Sequence, residues 1–184
     1  MSINSTSGCS IPQLIIVMGV SGCGKSTLAR QLANVLAAQF IEADDFHSAA
    51  AKACMAQGIA LTDEQRLPWI DRLLHQVSNL TGQPINILAF SGLKRAHRDC
   101  FRTLGYRTLF IWLAVDEVEV LQRISKRKDH FFPASLLKSQ FSALEQPTDE
   151  SDVLVLCQNE NVDDQVIRIL KTLAINVTDN KLGV

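Results

Sequence analysis

MGVSGCGKST, residues 18–27, follows the apolar run Leu14-Ile15-Ile16-Val17, and its reading decides the fold. Gly19, four further residues and then Gly24-Lys25-Ser26 satisfy the G-x4-G-K-[ST] pattern of a phosphate-binding loop. That pattern carries meaning only between a strand and a helix. Gln13 to Met18 is short and continuously apolar, which reads as a strand buried on both faces. Leu28, Leu32, Val35 and Leu36 recur at helical spacing, so a helix follows at once. The glycines let the backbone curl until successive N–H groups of Gly19, Val20, Ser21, Gly22, Cys23 and Gly24 face an anion. The helix adds its positive N-terminal end. Lys25 is then expected to reach the β/γ-phosphates and the Ser26 hydroxyl to ligate Mg²⁺, with Thr27 a helical neighbour of lesser role.

Outward from the loop, strand and helix patterns alternate. Phe40-Ile41 reads as a second strand running into the acidic cluster Glu42-Ala43-Asp44-Asp45. Pro68 is expected in the first turn of a helix whose buried stripe is Trp69, Leu73, Leu74 and Val77. Ile85 to Phe90, Thr108 to Val115 and Val153 to Leu156 read as three more strands. Asp116 with Glu119 three positions on reads as a helix N-cap with a capping box. Val166, Ile169, Leu170 and Leu173 mark a closing helix. Such alternation predicts an α/β fold: a five-stranded parallel sheet with helices on both faces.

Length and composition fit this. The chain has 184 residues, 47% of them hydrophobic and 20% charged, which suits one domain with an ordinary core. We place a lead-in at residues 1–12, the domain at 13–176 and a tail at 177–184. The formal net charge is -1 and no Lys/Arg-rich block occurs, which disfavours nucleic acid as a partner. No apolar run approaches the roughly 20 residues of a membrane span, and the N-terminus lacks the pattern of a signal peptide. Cys9, Cys23, Cys54, Cys100 and Cys157 are scattered without a C-x-x-C pair, which reads as reduced thiols in a cytoplasmic protein.

Among phosphate-loop proteins, a switch GTPase needs a base-reading N-K-x-D motif, and none is present. A motor or transport ATPase usually runs an apolar strand into an acidic residue, whereas the third strand here ends in Ala89-Phe90-Ser91. A small-metabolite or nucleotide kinase remains. At the level of whole motifs the sequence resembles the short P-loop gluconokinases, relatives of shikimate kinase and the nucleoside monophosphate kinases. The resemblance spans Leu14 to about Leu156. It rests on MGVSGCGKST, on EADDFH (42–47), and on Met55, Gly58-Ile59, Leu61, Asp63, Arg66 and Pro68-Trp69. It continues through Ser91, Leu93-Lys94 and Arg98-Asp99, then Arg127-Lys128-Asp129-His130-Phe131, Leu136-Leu137, Ser139-Gln140-Phe141 and Leu144-Glu145.

The resemblance implies a substrate-capping helical segment at about 46–80, a lid at about 123–132 and a homodimer. It implies transfer of the γ-phosphoryl of ATP to the 6-hydroxyl of D-gluconate with Mg²⁺. Asp44 is the candidate to orient the acceptor hydroxyl and take its proton. Glu42 would hold a Mg²⁺-bound water, as the matching acid does in shikimate kinase. Lys25 and the lid residues Arg123 and Arg127, one helical turn apart, would neutralise phosphate charge. An anionic acceptor covered in hydroxyls calls for cations and hydrogen-bonding groups, for which His47, Arg66, Lys94, Arg98 and His130 are the candidates.

The segment after His47 departs from the family pattern. Ser48-Ala49-Ala50-Ala51 replaces Pro-x-x-Asn, Cys54-Met55 replaces Lys-Met, Ala60 replaces a proline and Gln65 an aspartate. Phe90, Gly92 and Asp129 also differ. Lys52 stands two positions from the usual lysine, about 200° around a helix, so it is not expected to substitute for it. These changes leave open a kinase acting on another small sugar acid or polyol, or a nucleotide-binding module that has lost catalysis.

Overall fold

The computed structural model describes residues 13–125, 133–157 and 160–179. The expected lead-in, Arg127, His130 and the lid beyond Ser125 lie outside these residues. In chain order the elements are β1 (Gln13–Met18), α1 (Lys25–Leu36), β2 (Gln39–Glu42), a 3-10 turn (Ala43–Phe46), α2 (Ala49–Ala56), α3 (Asp63–Ser78) and β3 (Ile85–Ala89). They continue with α4 (Arg95–Arg102), β4 (Arg107–Ala114), α5 (Glu117–Ser125), α6 (Ala134–Ala143), β5 (Val153–Cys157) and α7 (Val162–Asp179).

All strand pairs are parallel, in the order β2-β3-β1-β4-β5. Successive β1 side chains point to opposite faces, so both faces must be covered and the strand reads as unbroken apolar sequence. Ile15 and Val17 pack with Leu28 and Leu32 of α1 and Ile169 and Leu173 of α7. Leu14 and Ile16 pack with Trp69, Ile70 and Leu73 of α3 and Phe101 of α4. The chain leaves β1 toward β2 and β3 on one side and later crosses to β4 and β5 on the other. The carboxyl ends of β1 and β3 therefore flank the switch point where open α/β sheets bind ligands.

Several elements differ from the sequence expectation. Helix α3 begins five residues before Pro68, because Thr62 and Gln65 close a reciprocal capping box. The proline sits inside the helix, where its missing N–H removes one internal bond. Ile70 joins the buried stripe and Leu74 only flanks it. On α1 the buried positions are Leu28, Ala29, Leu32 and Ala33, while Val35 is 55% exposed. The Asp116 carboxylate does accept from the Glu119 N–H at 2.8 Å, but the Glu119 carboxylate turns to Arg123. Helix α7 continues to Asp179.

Candidate active site

The loop between β1 and α1 is held from behind. The Gly19 N–H donates to the Ser91 carbonyl, just past β3, at 3.1 Å. Gly22 has φ +82°, and a Cβ there would lie 2.8 Å from Cγ1 of Ile124 on α5. Only glycine fits both the conformation and the close approach. The Lys25 ammonium folds back to donate to the Val20 carbonyl at 3.0 Å, which carries its charge over the loop. Arg123 reaches the loop from α5: Nη1 donates to the Cys23 carbonyl at 3.1 Å while Nε donates to Glu119 at 2.9 Å. The Cys23 side chain is buried in the core, so this residue serves the loop through its backbone.

Ser26, in the first turn of α1, is close enough to the Glu42 carboxylate at the end of β2 for its hydroxyl to favour the ionised form. Burial pushes the Glu42 carboxyl above its ordinary value, against the opposing pull of the Ser26 hydroxyl. Arg30 stands 3.8 Å away. A hydroxyl and a carboxylate beside a phosphate loop are hard oxygen ligands, and no cluster of three or more metal-ligating side chains occurs among the described residues. That fits Mg²⁺, which is held by one or two protein oxygens and completed by phosphates and water.

Two side chains of α3 set the acidic turn that follows. Trp69 Nε1 donates to the Ala43 carbonyl at 2.8 Å and Arg72 Nε to the Phe46 carbonyl at 2.9 Å. The turn therefore has a fixed shape although the Asp44 side chain is 74% exposed. His47 stacks on Trp69, with centroids 4.2 Å apart, and its Nε2 lies 3.9 Å from the Asp44 carboxylate. Burial lowers the His47 pKa more than Asp44 raises it, so the ring is neutral near pH 7. Its Nδ1 is buried without a hydrogen-bond partner.

These groups converge on one cavity of about 310 Å³. Ser21, Lys25, Asp44, His47 and Arg66 line it, so the structure brings the phosphate loop, the acidic turn and α3 together as expected. Two expected acceptor residues are not brought there. Lys94 is tied to Asp63, which also accepts from Arg66 Nη1 at 3.3 Å, and Lys94 does not line the cavity. Arg98 is 1% exposed; it pairs with Glu150 and donates to the Gly92 carbonyl at 2.7 Å and to the Leu93 carbonyl. Buried and with four of its five donors engaged, this arginine holds the loop after β3 and does not line the cavity.

Lys52, Trp69 and Gln140 are among the cavity residues that sequence reasoning missed. Lys52 lines the cavity from α2, contrary to the helical-phase expectation. Trp69 forms part of the wall as well as of the core. Gln140 of α6 clamps Ser21: its Oε1 accepts from the Ser21 N–H at 2.6 Å and its Nε2 donates to the Ser21 hydroxyl at 2.9 Å. The available signal was a polar amide on an otherwise apolar helix face, within a motif quoted for the resemblance alone.

Comparison with known proteins agrees with this geometry. Residues 14–147 match the family described as AAA domain. The chain is 41% identical to the thermosensitive gluconokinase of Escherichia coli K12 over 149 residues, 80% of each chain. The crystal structure of a gluconokinase from Sinorhizobium meliloti superposes with a TM-score of 0.82 at 30% identity, covering 92% of this chain and 98% of that one. A shikimate kinase from Bacteroides thetaiotaomicron, at 16% identity and TM-score 0.63, shares the fold over 88% of this chain and 98% of its own. With a fold, a phosphate loop and a relative this similar over four-fifths of its length, the chain belongs to the gluconokinase family of P-loop kinases.

Proposed function

We propose that the protein transfers the γ-phosphoryl group of ATP to the 6-hydroxyl of D-gluconate, giving 6-phosphogluconate and ADP. The observation that carries this reading is the charge of the shared cavity. Lys25, Lys52 and Arg66 face Asp44 as the sole carboxylate among its described lining residues, and His47 is neutral. A wall with three cations and one anion suits a phosphate chain and an acceptor that is itself an anion.

Phosphoryl transfer needs positioning and charge neutralisation more than covalent chemistry. The loop amides and Lys25 hold the β/γ-phosphates. Ser26, with Glu42 behind it through a water, would hold Mg²⁺, which supplies charge neutralisation at the phosphates. Arg123, and Arg127 beyond the described residues, complete the cationic set. Asp44 orients the acceptor hydroxyl and takes its proton as the new O–P bond forms and the bond to ADP breaks. His47 is assigned to an acceptor hydroxyl because it lines the cavity with its Nε2 3.9 Å from the Asp44 carboxylate. Arg66 lines the acceptor side of the cavity; His130 is assigned to the acceptor on family resemblance alone. The same resemblance supports a cytoplasmic homodimer. No described helix is long and apolar enough to cross a membrane.

A coupled assay with ATP, Mg²⁺ and D-gluconate tests the reading, beside Lys25→Ala. Gluconate-dependent 6-phosphogluconate that disappears in the variant supports it. Turnover of gluconate no better than that of other hydroxy acids contradicts it.

A further inference from the structure

We infer that Lys52 is the residue that recognises the carboxylate of the acceptor and so makes the enzyme select a sugar acid over a neutral polyol. The inference rests on the reading of the protein as a sugar-acid kinase and names the group that reads the acid.

Helix α2 places it. Ser48 caps the helix by accepting from the Ala51 N–H at 3.1 Å, which fixes where the first turn starts. Lys52, Met55 and Ala56 follow at spacings of three and four residues, so they share one helix face, and all three line the cavity. Cys54 does not line it; it stands about 200° from Lys52 around the helix. The lysine that the family pattern puts at position 54 would therefore leave this wall, and the cation at position 52 occupies it. The apparent displacement places a positive charge on the acceptor side.

The other cavity cations are engaged. Lys25 bonds the phosphate loop itself, and Arg66 is paired with Asp63. Lys52 Nζ donates a 3.3 Å hydrogen bond to the Asp45 carbonyl, next to the acid that takes the proton. It has no carboxylate within salt-bridge distance among the described residues. That bond ties the ammonium to the turn carrying Asp44, so a carboxylate bound at Lys52 is held at a set distance from the base. A second contribution is electrostatic: the Lys52 and Arg66 charges both disfavour protonation of His47.

The test compares wild type with Lys52→Met and Lys52→Arg, using D-gluconate and its neutral counterpart D-glucitol as acceptors. Lys52→Met is expected to raise KM for gluconate about tenfold, the scale of one exposed charge-assisted contact. Its KM for ATP should stay put, kcat should fall much less than KM rises, and KM for glucitol should rise far less than KM for gluconate. Lys52→Arg should restore most of the gluconate preference. An unchanged gluconate-to-glucitol ratio in Lys52→Met, with ATP kinetics intact, overturns the inference. If wild type does not use gluconate at all, the functional reading fails on its own. The same comparison is then made with shorter acid and alcohol pairs. Loss of acid preference in Lys52→Met still supports the role of Lys52, and a wild type without acid preference refutes it.

Discussion

Replacing Glu150 by Gln is the sharpest stability test of the fold that holds the site. Glu150 sits before β5 with its side chain 4% exposed, against Arg98 at 1%. Arg98 Nε donates to it at 3.0 Å, and Arg102, itself bound to Asp152 and Asp99, approaches its other side. The paired guanidinium of Arg98, first, and Arg102 hold its carboxyl at about 2 against an ordinary 4.5 despite burial. That depression corresponds to about 3 kcal/mol favouring the ionised, folded form. Leaving Arg98 buried without its partner costs a similar 3–5 kcal/mol or so. Because the folded pKa is the lower one, the contribution is complete above the unfolded value of about 4.5 and fades as pH falls toward about 2. Urea denaturation at neutral pH should therefore show Glu150→Gln less stable by about 3 kcal/mol, and near about pH 3 the gap should shrink to less than half. A gap below about 1 kcal/mol at neutral pH, or one that does not change with pH, would refute the reasoning.

Other outcomes follow from the site. Asp44→Asn should lower kcat by about 10²–10⁴-fold with little change in KM for ATP, the range for loss of a general base; steady-state kinetics with both substrates varied will show it. Gly22→Ala puts a side chain at φ +82° and within 2.8 Å of Ile124, so a stability loss of about 1–3 kcal/mol and weaker ATP binding are expected, read by thermal melting with and without ATP. His47 and His97 are both held below their ordinary 6.5, in each case first by burial. Both are protonated more readily when unfolded, so stability is complete above about 6.5 and declines as pH falls below it. His47→Gln should flatten that decline in part, with His97 supplying the remainder; identical slopes in melts across that window would contradict the assignment.

The strands and the phosphate loop were legible because each leaves a local mark: a strand buried on both faces has no polar positions, and the loop needs glycines at fixed spacing. Asp44, His47 and Arg66 were legible through motif resemblance, and the structure supplies the reason they meet, which is the grip of Trp69 and Arg72 on the acidic turn. Arg98 was misread because its partner Glu150 lies 52 residues away, and no local pattern announces such a pair. Pro68 misplaced the start of α3 because a capping box six residues earlier outweighs one lost helix bond. Lys52 was misread for a different reason. Helix α2 has no buried residues, so no apolar stripe reveals which of its faces points inward. Its phase is set by the Ser48 cap and by the neighbours it meets.

The most direct test of the central claim is the identity and amount of product formed from D-gluconate and ATP with Mg²⁺, followed by ³¹P NMR or mass spectrometry. The account predicts 6-phosphogluconate, phosphorylated at the terminal hydroxyl and formed one-for-one with ADP. Tight ATP binding with no phosphoryl transfer to gluconate, or transfer at a rate matched by unrelated hydroxy acids, would contradict it.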